Sequence, residues 1–204
     1  MLKIWGSKPS SNVQKVLWCC DEMGLPFELG NIDTAFGGIK QPRYLALNPN
    51  GLMPTIDDGG FILWESNVVV RYLAAKHGMG GLYPVDLAHR ALAERWMDWQ
   101  QTALMPHMSP LFRGYLRSPP EAIEPAVLDA AKAKAGAAWA MLDATLARHP
   151  FVAGAALTVG DIALGNAVHR WFRLPVDRPA LPHLAAWYAR LNERPAYKLR
   201  IAAF

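Results

Sequence analysis

The fold of this chain is decided by the stretch Asn48-Pro49-Asn50-Gly51-Leu52-Met53-Pro54-Thr55-Ile56, which a second stretch, Glu65-Ser66-Asn67, closely follows. The first stretch predicts a turn that leads into a buried strand interrupted by Pro54. Proline removes a donor from a sheet ladder and is disfavoured inside a strand. We therefore expect a bend or a cis bond at Pro54 that exposes the main chain of Met53, where a small peptide can pair with it.

Downstream of this strand, the sequence predicts a tight hairpin and then a helix. Asp57-Asp58-Gly59-Gly60 supplies the turn, and the chain returns through Phe61-Ile62-Leu63-Trp64. Glu65 and Ser66 then open a helix that ends near Gly78. An acidic residue and a serine therefore stand at the positive end of a helix.

Upstream of the turn, the hydrophobic pattern predicts a βαβ unit. A strand covers Leu2 to Trp5, a helical pattern runs from Asn12 to about Met23, and a second strand covers Phe27 to Ile32. This order implies parallel strands and a right-handed crossover. Residues 34–47 look irregular apart from a helical turn around Tyr44-Leu45.

The strand pattern disappears after a glycine-rich segment that we interpret as a linker over residues 80–85. We therefore predict an α/β domain over residues 1–79 and an all-helical domain over residues 86–204. Within the second domain the apolar periodicity predicts helices over residues 87–105, 119–146 and 181–192.

One local signature in the second domain predicts the start of a core helix. In Thr158-Val159-Gly160-Asp161, the threonine takes the N-cap position and Asp161 stands three residues later to reach back to it. Leu157 and Ile162 occupy the two hydrophobic staple positions. We expect the helix to run from Ile162 to about Trp171 and Asp161 to be structural rather than catalytic.

Composition excludes several classes of function. The 204 residues carry a net charge of +4 without a run of basic residues, so nucleic acid is not an expected partner. No stretch is long and apolar enough for a membrane span. The two cysteines are adjacent, which favours a reducing cytoplasm. The histidines show no metal-ligand spacing, so no metal is expected.

The motifs above together resemble those of the cytosolic glutathione transferases, and the resemblance covers essentially the whole chain. Asn48 to Pro54 matches the family's NPxGxxP element, whose last proline is cis. Glu65-Ser66 matches its glutamate-serine pair, and Thr158 to Asp161 matches its capping box. The first loop and first helix look most like bacterial members related to the theta, phi and nu classes. The resemblance implies a thioredoxin-like N-terminal domain followed by an all-helical C-terminal domain, and a homodimer.

Glutathione is the co-substrate that the resemblance implies. Its γ-glutamyl ammonium and carboxylate would meet Glu65 and Ser66, and its cysteinyl unit would pair with the main chain of Met53 before Pro54. Lys40 aligns with a lysine that meets the glycyl carboxylate. Ser11 is a further glutathione-binding candidate.

Catalysis by such an enzyme requires a thiolate. Lowering a thiol pKa by about two units corresponds to roughly 2.7 kcal/mol. One hydrogen bond to a charged acceptor contributes about 1.5–3 kcal/mol, so a single donor at the start of the first helix is sufficient. The resemblance aligns Ser10 with the catalytic serine of the theta, phi and zeta classes and Asn12 with an asparagine of nu-like members. We favour Ser10, with Asn12 second or cooperating, although each is also a good helix cap.

The sequence leaves the electrophile and part of the chemistry open. Met105, Met108, Phe112 and Tyr115 are candidates for an apolar substrate pocket, and an ordinary packing role is the alternative. We expect conjugation of glutathione to small electrophiles in detoxification. Glutathione-dependent disulfide or peroxide reduction, or a non-catalytic binding module on the same fold, remain the alternatives.

Overall fold

The computed structural model describes residues 1–116 and 123–203. It contains a mixed sheet with strands β1 Leu2–Trp5, β2 Phe27–Gly30, β3 Thr55–Asp58 and β4 Phe61–Trp64. The strand order is β2-β1-β3-β4. β1 and β2 pair in parallel, as the predicted βαβ unit requires, whereas β3 pairs antiparallel with both neighbours. The predicted class, an α/β unit followed by a helical unit, is confirmed.

The helices that accompany the sheet differ from the prediction mainly in their limits. Those of the first 83 residues are α1 Ser11–Glu22, α2 Ile32–Phe36, α3 Pro42–Leu45 and α4 Ser66–His77. The helix α2 was not predicted. It begins at Ile32 because the side chain of Asn31 caps it by accepting a hydrogen bond from the amide of Thr34 at 3.1 Å, so β2 ends earlier than expected.

The remaining described helices follow without further strands. They are α5 Leu87–Trp99, a π-helical turn Gln100–Leu104, α6 Met105–Leu116, α7 Pro125–Leu146, α8 Val159–Arg173, α9 Pro182–Glu193, α10 Pro195–Tyr197 and a second π-helical turn Lys198–Ala202. The helix predicted to end near residue 105 thus continues to residue 116. The predicted start of α7 at residue 119 lies outside the described residues.

The chain forms two compact units whose limits differ from the predicted boundaries at the C-terminus. Met1–Tyr83 and Pro195–Phe204 form one unit, and Pro84–Arg194 forms the other. The last residues join the first unit through aromatic and ionic contacts with α1. The ring of Tyr197 lies 4.9 Å from that of Trp18, and Arg200 pairs with Asp21.

The helical unit is built around a buried carboxylate. The amide of Thr158 donates to Oδ2 of Asp161 at 2.8 Å, so the predicted reciprocal cap of α8 is present. Oδ1 of Asp161 accepts from the indole of Trp187 at 2.9 Å and from the amide of Val152 at 3.1 Å. One side chain therefore fixes the start of α8, the chain before it and α9. Among the described helices, none is both long and apolar enough to cross a membrane.

Candidate active site

Three segments of the first unit meet at one end of the sheet. Trp5, the last residue of β1, pairs with Thr55, the first residue of β3, and Thr55 pairs in turn with Trp64, the last residue of β4. Because β3 runs opposite to both neighbours, the chain that leaves β1, the chain that enters β3 and the chain that leaves β4 lie side by side. These segments carry the predicted residues Ser10, Ser11, Asn12, Met53, Pro54, Glu65 and Ser66.

The segment before β3 leaves its main chain open. The bond between Met53 and Pro54 is cis, as the resemblance implied. Pro54 precedes β3, so the prediction that it interrupts the strand was wrong. The N–H that proline lacks would lie at a position where the sheet makes no ladder hydrogen bond. Within the described residues, neither the amide nor the carbonyl of Met53 makes a hydrogen bond. A peptide can therefore pair with it.

Two polar side chains that sequence reasoning missed hold this segment in place. The hydroxyl of Tyr44 donates to the carbonyl of Leu52 at 2.7 Å, and the amide of Asn48 donates to the same carbonyl at 2.9 Å. The Tyr44 hydroxyl also lies 2.9 Å from Oγ1 of Thr55. These bonds fix the chain on both sides of Met53. The available signal was the four-residue spacing of Tyr44 and Asn48. Asn48 lies beyond the end of α3, but its backbone amide donates to the carbonyl of Tyr44 at 3.0 Å as in a helical turn, so both side chains lie on one side.

The turn at Gly51 brings Lys40 beside the same segment. Gly51 has a φ of +59°, and a Cβ placed on it would lie 2.9 Å from the carbonyl oxygen of Ile39 and 3.0 Å from Nζ of Lys40. Only glycine permits both this backbone conformation and this close approach. Lys40 itself is exposed, so its ammonium is accessible to an anionic ligand.

The start of α1 offers hydrogen-bond donors that the helix does not use. Ser10 takes the N-cap position with φ −72° and ψ 119°, and its carbonyl accepts from the amide of Gln14 at 2.8 Å. Its side chain makes no capping hydrogen bond. Ser11 is partly exposed and Asn12 is exposed, and neither side chain bonds to another described residue. All three remain open as donors, so the geometry does not choose between Ser10 and Asn12.

The start of α4 presents an acceptor beside unpaired donors. Glu65 is the N-cap, is exposed and has a φ of +71°, a region that non-glycine residues rarely occupy. Its carboxylate makes no capping bond. Ser66 follows as the first helical residue, and its amide has no acceptor within the helix. A ligand with an ammonium next to a carboxylate matches this pair, because the helix terminus favours the negative group.

A buried lysine behind this helix start was also missed. Lys15 in α1 is 3% exposed, and its Nζ donates to Oδ1 of Asn67 in α4 at 2.8 Å. Burial lowers the pKa of Lys15 to about 7, against the opposing attraction of Glu65. The sequence signal was a lysine inside the mostly apolar run from Val13 to Cys20, but nothing local identified its partner.

The two cysteines are poor nucleophiles. Both are buried in the body of α1. Burial raises the pKa of the Cys20 thiol to about 12, with a further contribution from the charge of Asp21, and burial also raises the pKa of Cys19. Both thiols are therefore protonated near neutral pH, which agrees with the packing role expected for them.

The candidates for the electrophile pocket differ in burial. They lie on α6 in the helical unit, where Met105 and Phe112 are partly exposed and Tyr115 is exposed. Met108 is 2% exposed, which favours the packing alternative for this residue. The guanidinium of Arg170 lies 3.7 Å from the ring centroid of Phe112, close enough for a cation–π interaction. Within the described parts of the chain, no group of three His, Cys, Asp or Glu side chains is placed to hold a metal ion.

Comparison with known families gives matches in both halves of the chain. The family described as glutathione S-transferase, N-terminal domain, matches residues 9–76. The family described as glutathione S-transferase, C-terminal domain, matches residues 125–190.

Individual relatives match over almost the whole length. The chain is 40% identical to glutathione S-transferase GstB of Escherichia coli K12, covering 97% of this chain and 96% of the relative. A solved theta class glutathione S-transferase from Xanthomonas axonopodis pv. citri, with glutathione bound, is 46% identical, with a TM-score of 0.92 over 98% of this chain and 96% of that one. At lower similarity, the disulfide-bond oxidoreductase YfcG of E. coli K12 is 27% identical over 92% of this chain and 89% of its own. The chain therefore belongs to the glutathione S-transferase family.

Proposed function

We propose that this chain is a transferase that conjugates the glutathione thiolate to small, mostly apolar electrophiles. The observation that carries the proposal is the unused hydroxyl of Ser10 at the start of α1, at the same end of the sheet as the open main chain of Met53. Family membership and the names of the relatives support glutathione conjugation.

The γ-glutamyl end of glutathione binds at the start of α4. The Glu65 carboxylate accepts from the ammonium of the ligand, and the amide and hydroxyl of Ser66 donate to its carboxylate. A helix N-terminus attracts negative charge, so this arrangement also favours the ligand's carboxylate electrostatically.

The rest of glutathione extends along the segment before β3. The cysteinyl unit pairs with the main chain of Met53, which precedes β3 and makes no hydrogen bond within the described residues. The ammonium of Lys40 pairs with the glycyl carboxylate, and Ser11 lines the start of α1 beside the ligand. The sulfur then faces the start of α1, where the donors are.

Ser10 activates the sulfur by hydrogen bonding rather than by removing a proton. Its hydroxyl donates to the thiolate, which lowers the pKa of the bound thiol, and the thiol proton passes to water. The thiolate then attacks an electrophilic carbon and forms a C–S bond. The leaving group departs with its electron pair or, in an addition, the carbanion takes a proton from water. Asn12 is the alternative or assisting donor.

The test is conjugation by three variants in and just before the first turn of α1. Ser10→Ala should lower kcat about 10- to 100-fold, because it removes a hydrogen bond to a charged group that is worth about 1.5–3 kcal/mol. The Kd for glutathione should change by less than about threefold, since the other ligand contacts remain. Ser7→Ala, at an exposed serine of the same loop that has no proposed role, is the matched control and should stay near wild type. Full activity of both Ser10→Ala and Asn12→Ala would contradict the mechanism.

Disulfide or peroxide reduction with glutathione is the second candidate, favoured by Asn12 and by the similarity to a disulfide-bond oxidoreductase. Assays of both reactions on one preparation separate the two. Reduction that exceeds conjugation, and that Asn12→Ala abolishes, would favour the reductase. Calorimetry that detects no glutathione binding would instead favour a non-catalytic module.

We also propose that the chain is a cytoplasmic homodimer with a role in detoxification. Three apolar side chains of the first unit, Leu52, Phe61 and Val68, are 59%, 49% and 44% exposed, which supports burial against a second subunit. The two free, buried cysteines support a reducing compartment. Light scattering should give twice the 22.5 kDa chain mass. A mass equal to one chain at micromolar concentration would contradict the dimer.

A further inference from the structure

Lys15 is a buried charge that the fold compensates only in part. A charged group in a protein interior is costly unless it is paired and hydrogen-bonded. A lysine ammonium has three N–H donors. Among the described contacts of Lys15, one hydrogen bond is present, to the neutral side-chain amide of Asn67. A lysine in this position therefore reduces the stability of the fold. Its presence suggests that it serves another purpose.

The bond that Lys15 does make joins the two helix starts of the candidate site. Lys15 lies in the second turn of α1, the helix whose first turn carries the candidate thiolate donors. Asn67 lies in the first turn of α4, directly after Ser66 and two residues after Glu65. The Lys15–Asn67 bond spans 52 residues of sequence and is buried. It therefore fixes one helix start relative to the other.

The backbone at Glu65 needs such a support. A non-glycine residue in a sparsely populated backbone region costs about 1–3 kcal/mol and persists only where surrounding contacts impose it. The positive φ of Glu65 turns the chain directly from β4 into α4 and leaves the carboxylate exposed. A buried bond from α1 to the first turn of α4 is a contact of this kind. The attraction between Lys15 and Glu65 acts in the same direction.

We propose that Lys15 is a positioning residue for the γ-glutamyl end of glutathione, acting through Asn67 on Glu65 and Ser66. The inference rests on the proposed function, because it names the support of that same site. Lys15 does not touch the ligand. It holds the first turn of α4 so that the acceptor of Glu65 and the donors of Ser66 face the ammonium and the carboxylate together.

The experiment measures binding of S-methylglutathione by calorimetry at pH 7. This ligand keeps the γ-glutamyl end but has no ionisable thiol, so its Kd does not depend on ionisation of the sulfur. Lys15→Met should raise Kd about tenfold, equivalent to about 1.4 kcal/mol. Lys15→Arg, which keeps the charge and a donor, should restore binding to within about threefold of wild type.

A double-mutant cycle tests whether Lys15 acts through Asn67. Asn67→Ala should raise Kd to a similar extent. The Kd of the double variant, Lys15→Met with Asn67→Ala, should not exceed the larger of the two single-variant Kd values, because both substitutions break the same interaction. In conjugation assays the loss should appear in KM for glutathione and not in kcat. Val16→Ala, an uncharged buried change on the same helix, is the matched control and should lower Tm without raising Kd.

The outcomes separate this inference from the proposed function. Wild-type protein that does not bind S-methylglutathione would refute the proposed function itself. Wild-type protein that binds while Lys15→Met binds equally well would overturn the positioning role alone. If Lys15→Met does not fold, Asn67→Ala decides, since unchanged affinity in that variant would equally overturn the role.

Discussion

The two compact units each bury a charged side chain, and the two differ in how that charge is compensated. Among the described Asp, Glu, Lys and Arg residues, the buried ones are Lys15 and Asp161. Asp161 in the helical unit accepts four hydrogen bonds, which come from the amides of Val152 and Thr158, the hydroxyl of Thr158 and the indole of Trp187. Lys15 in the first unit donates one, to a neutral amide.

This difference separates a charge that serves the fold from one that serves a site. The donors around Asp161 use both carboxylate oxygens, so the group is closed to any ligand. Its four hydrogen bonds all serve the fold, although desolvation outweighs them and raises its pKa to about 6. The single bond of Lys15 leaves part of its charge uncompensated next to the helix start that the site uses. Substituting each residue should therefore change stability in opposite directions.

The largest effect is expected for Asp161→Ala. Removing the carboxylate leaves two buried amides and a buried indole N–H without their acceptor, which should cost about 3–5 kcal/mol. For a chain of this size we expect a fall in Tm of at least about 6 °C. Thermal unfolding followed by circular dichroism at fixed protein concentration checks this.

Thr158→Val is the matched control for that experiment, because it keeps the carboxylate and removes only one of its donors. It should cost about 1 kcal/mol. The comparison between the two buried charges would fail if Asp161→Ala cost no more than Thr158→Val.

The capping role of Asp161 was predictable from sequence because its main partner, Thr158, is close in sequence. Thr158 and Asp161 are three residues apart, and capping geometry alone brings them together. The open main chain at Met53 and the acidic start of α4 were predictable for the same reason, since Pro54 and the Glu65-Ser66 pair act on their immediate neighbours. The prediction that Pro54 interrupts β3 was wrong, because a proline is better tolerated before a strand than within it.

What sequence did not reveal depends on contacts between distant residues. The partner of Lys15 lies 52 residues away, and Arg200 pairs with Asp21 across 179 residues. No periodicity records which side chains meet across such separations. The assignment of the C-terminal residues to the helical part failed for this reason, because helical propensity says nothing about which unit a helix packs against.

The contributions of Asp161 and Lys15 to stability should also depend on pH in opposite ways. The folded pKa of Asp161 is raised to about 6 from 3.8, so its contribution to stability is fully present below pH 3.8 and is lost as pH rises through 6. The folded pKa of Lys15 is lowered to about 7 from 10.5, so its contribution is fully present above pH 10.5 and is lost as pH falls through 7.

A smaller effect than that of Asp161→Ala, and of opposite sign, is therefore expected for Lys15→Met. At pH 6 the variant should be more stable than wild type by about 1–3 kcal/mol, because it replaces an incompletely paired buried charge with an apolar group of similar size. Its advantage should shrink by about 1.4 kcal/mol per pH unit above pH 7, where the wild-type lysine loses its proton on folding. Urea unfolding of both proteins at pH 6, 7, 8 and 9, at one protein concentration, measures the difference.

Lys15→Arg keeps its charge over this range, so its stability relative to Lys15→Met should stay constant. If the stability advantage of Lys15→Met does not change between pH 7 and 9, Lys15 is adequately paired. Lys15 and Asp161 would then differ only in the number of their hydrogen bonds and not in how well their charge is compensated.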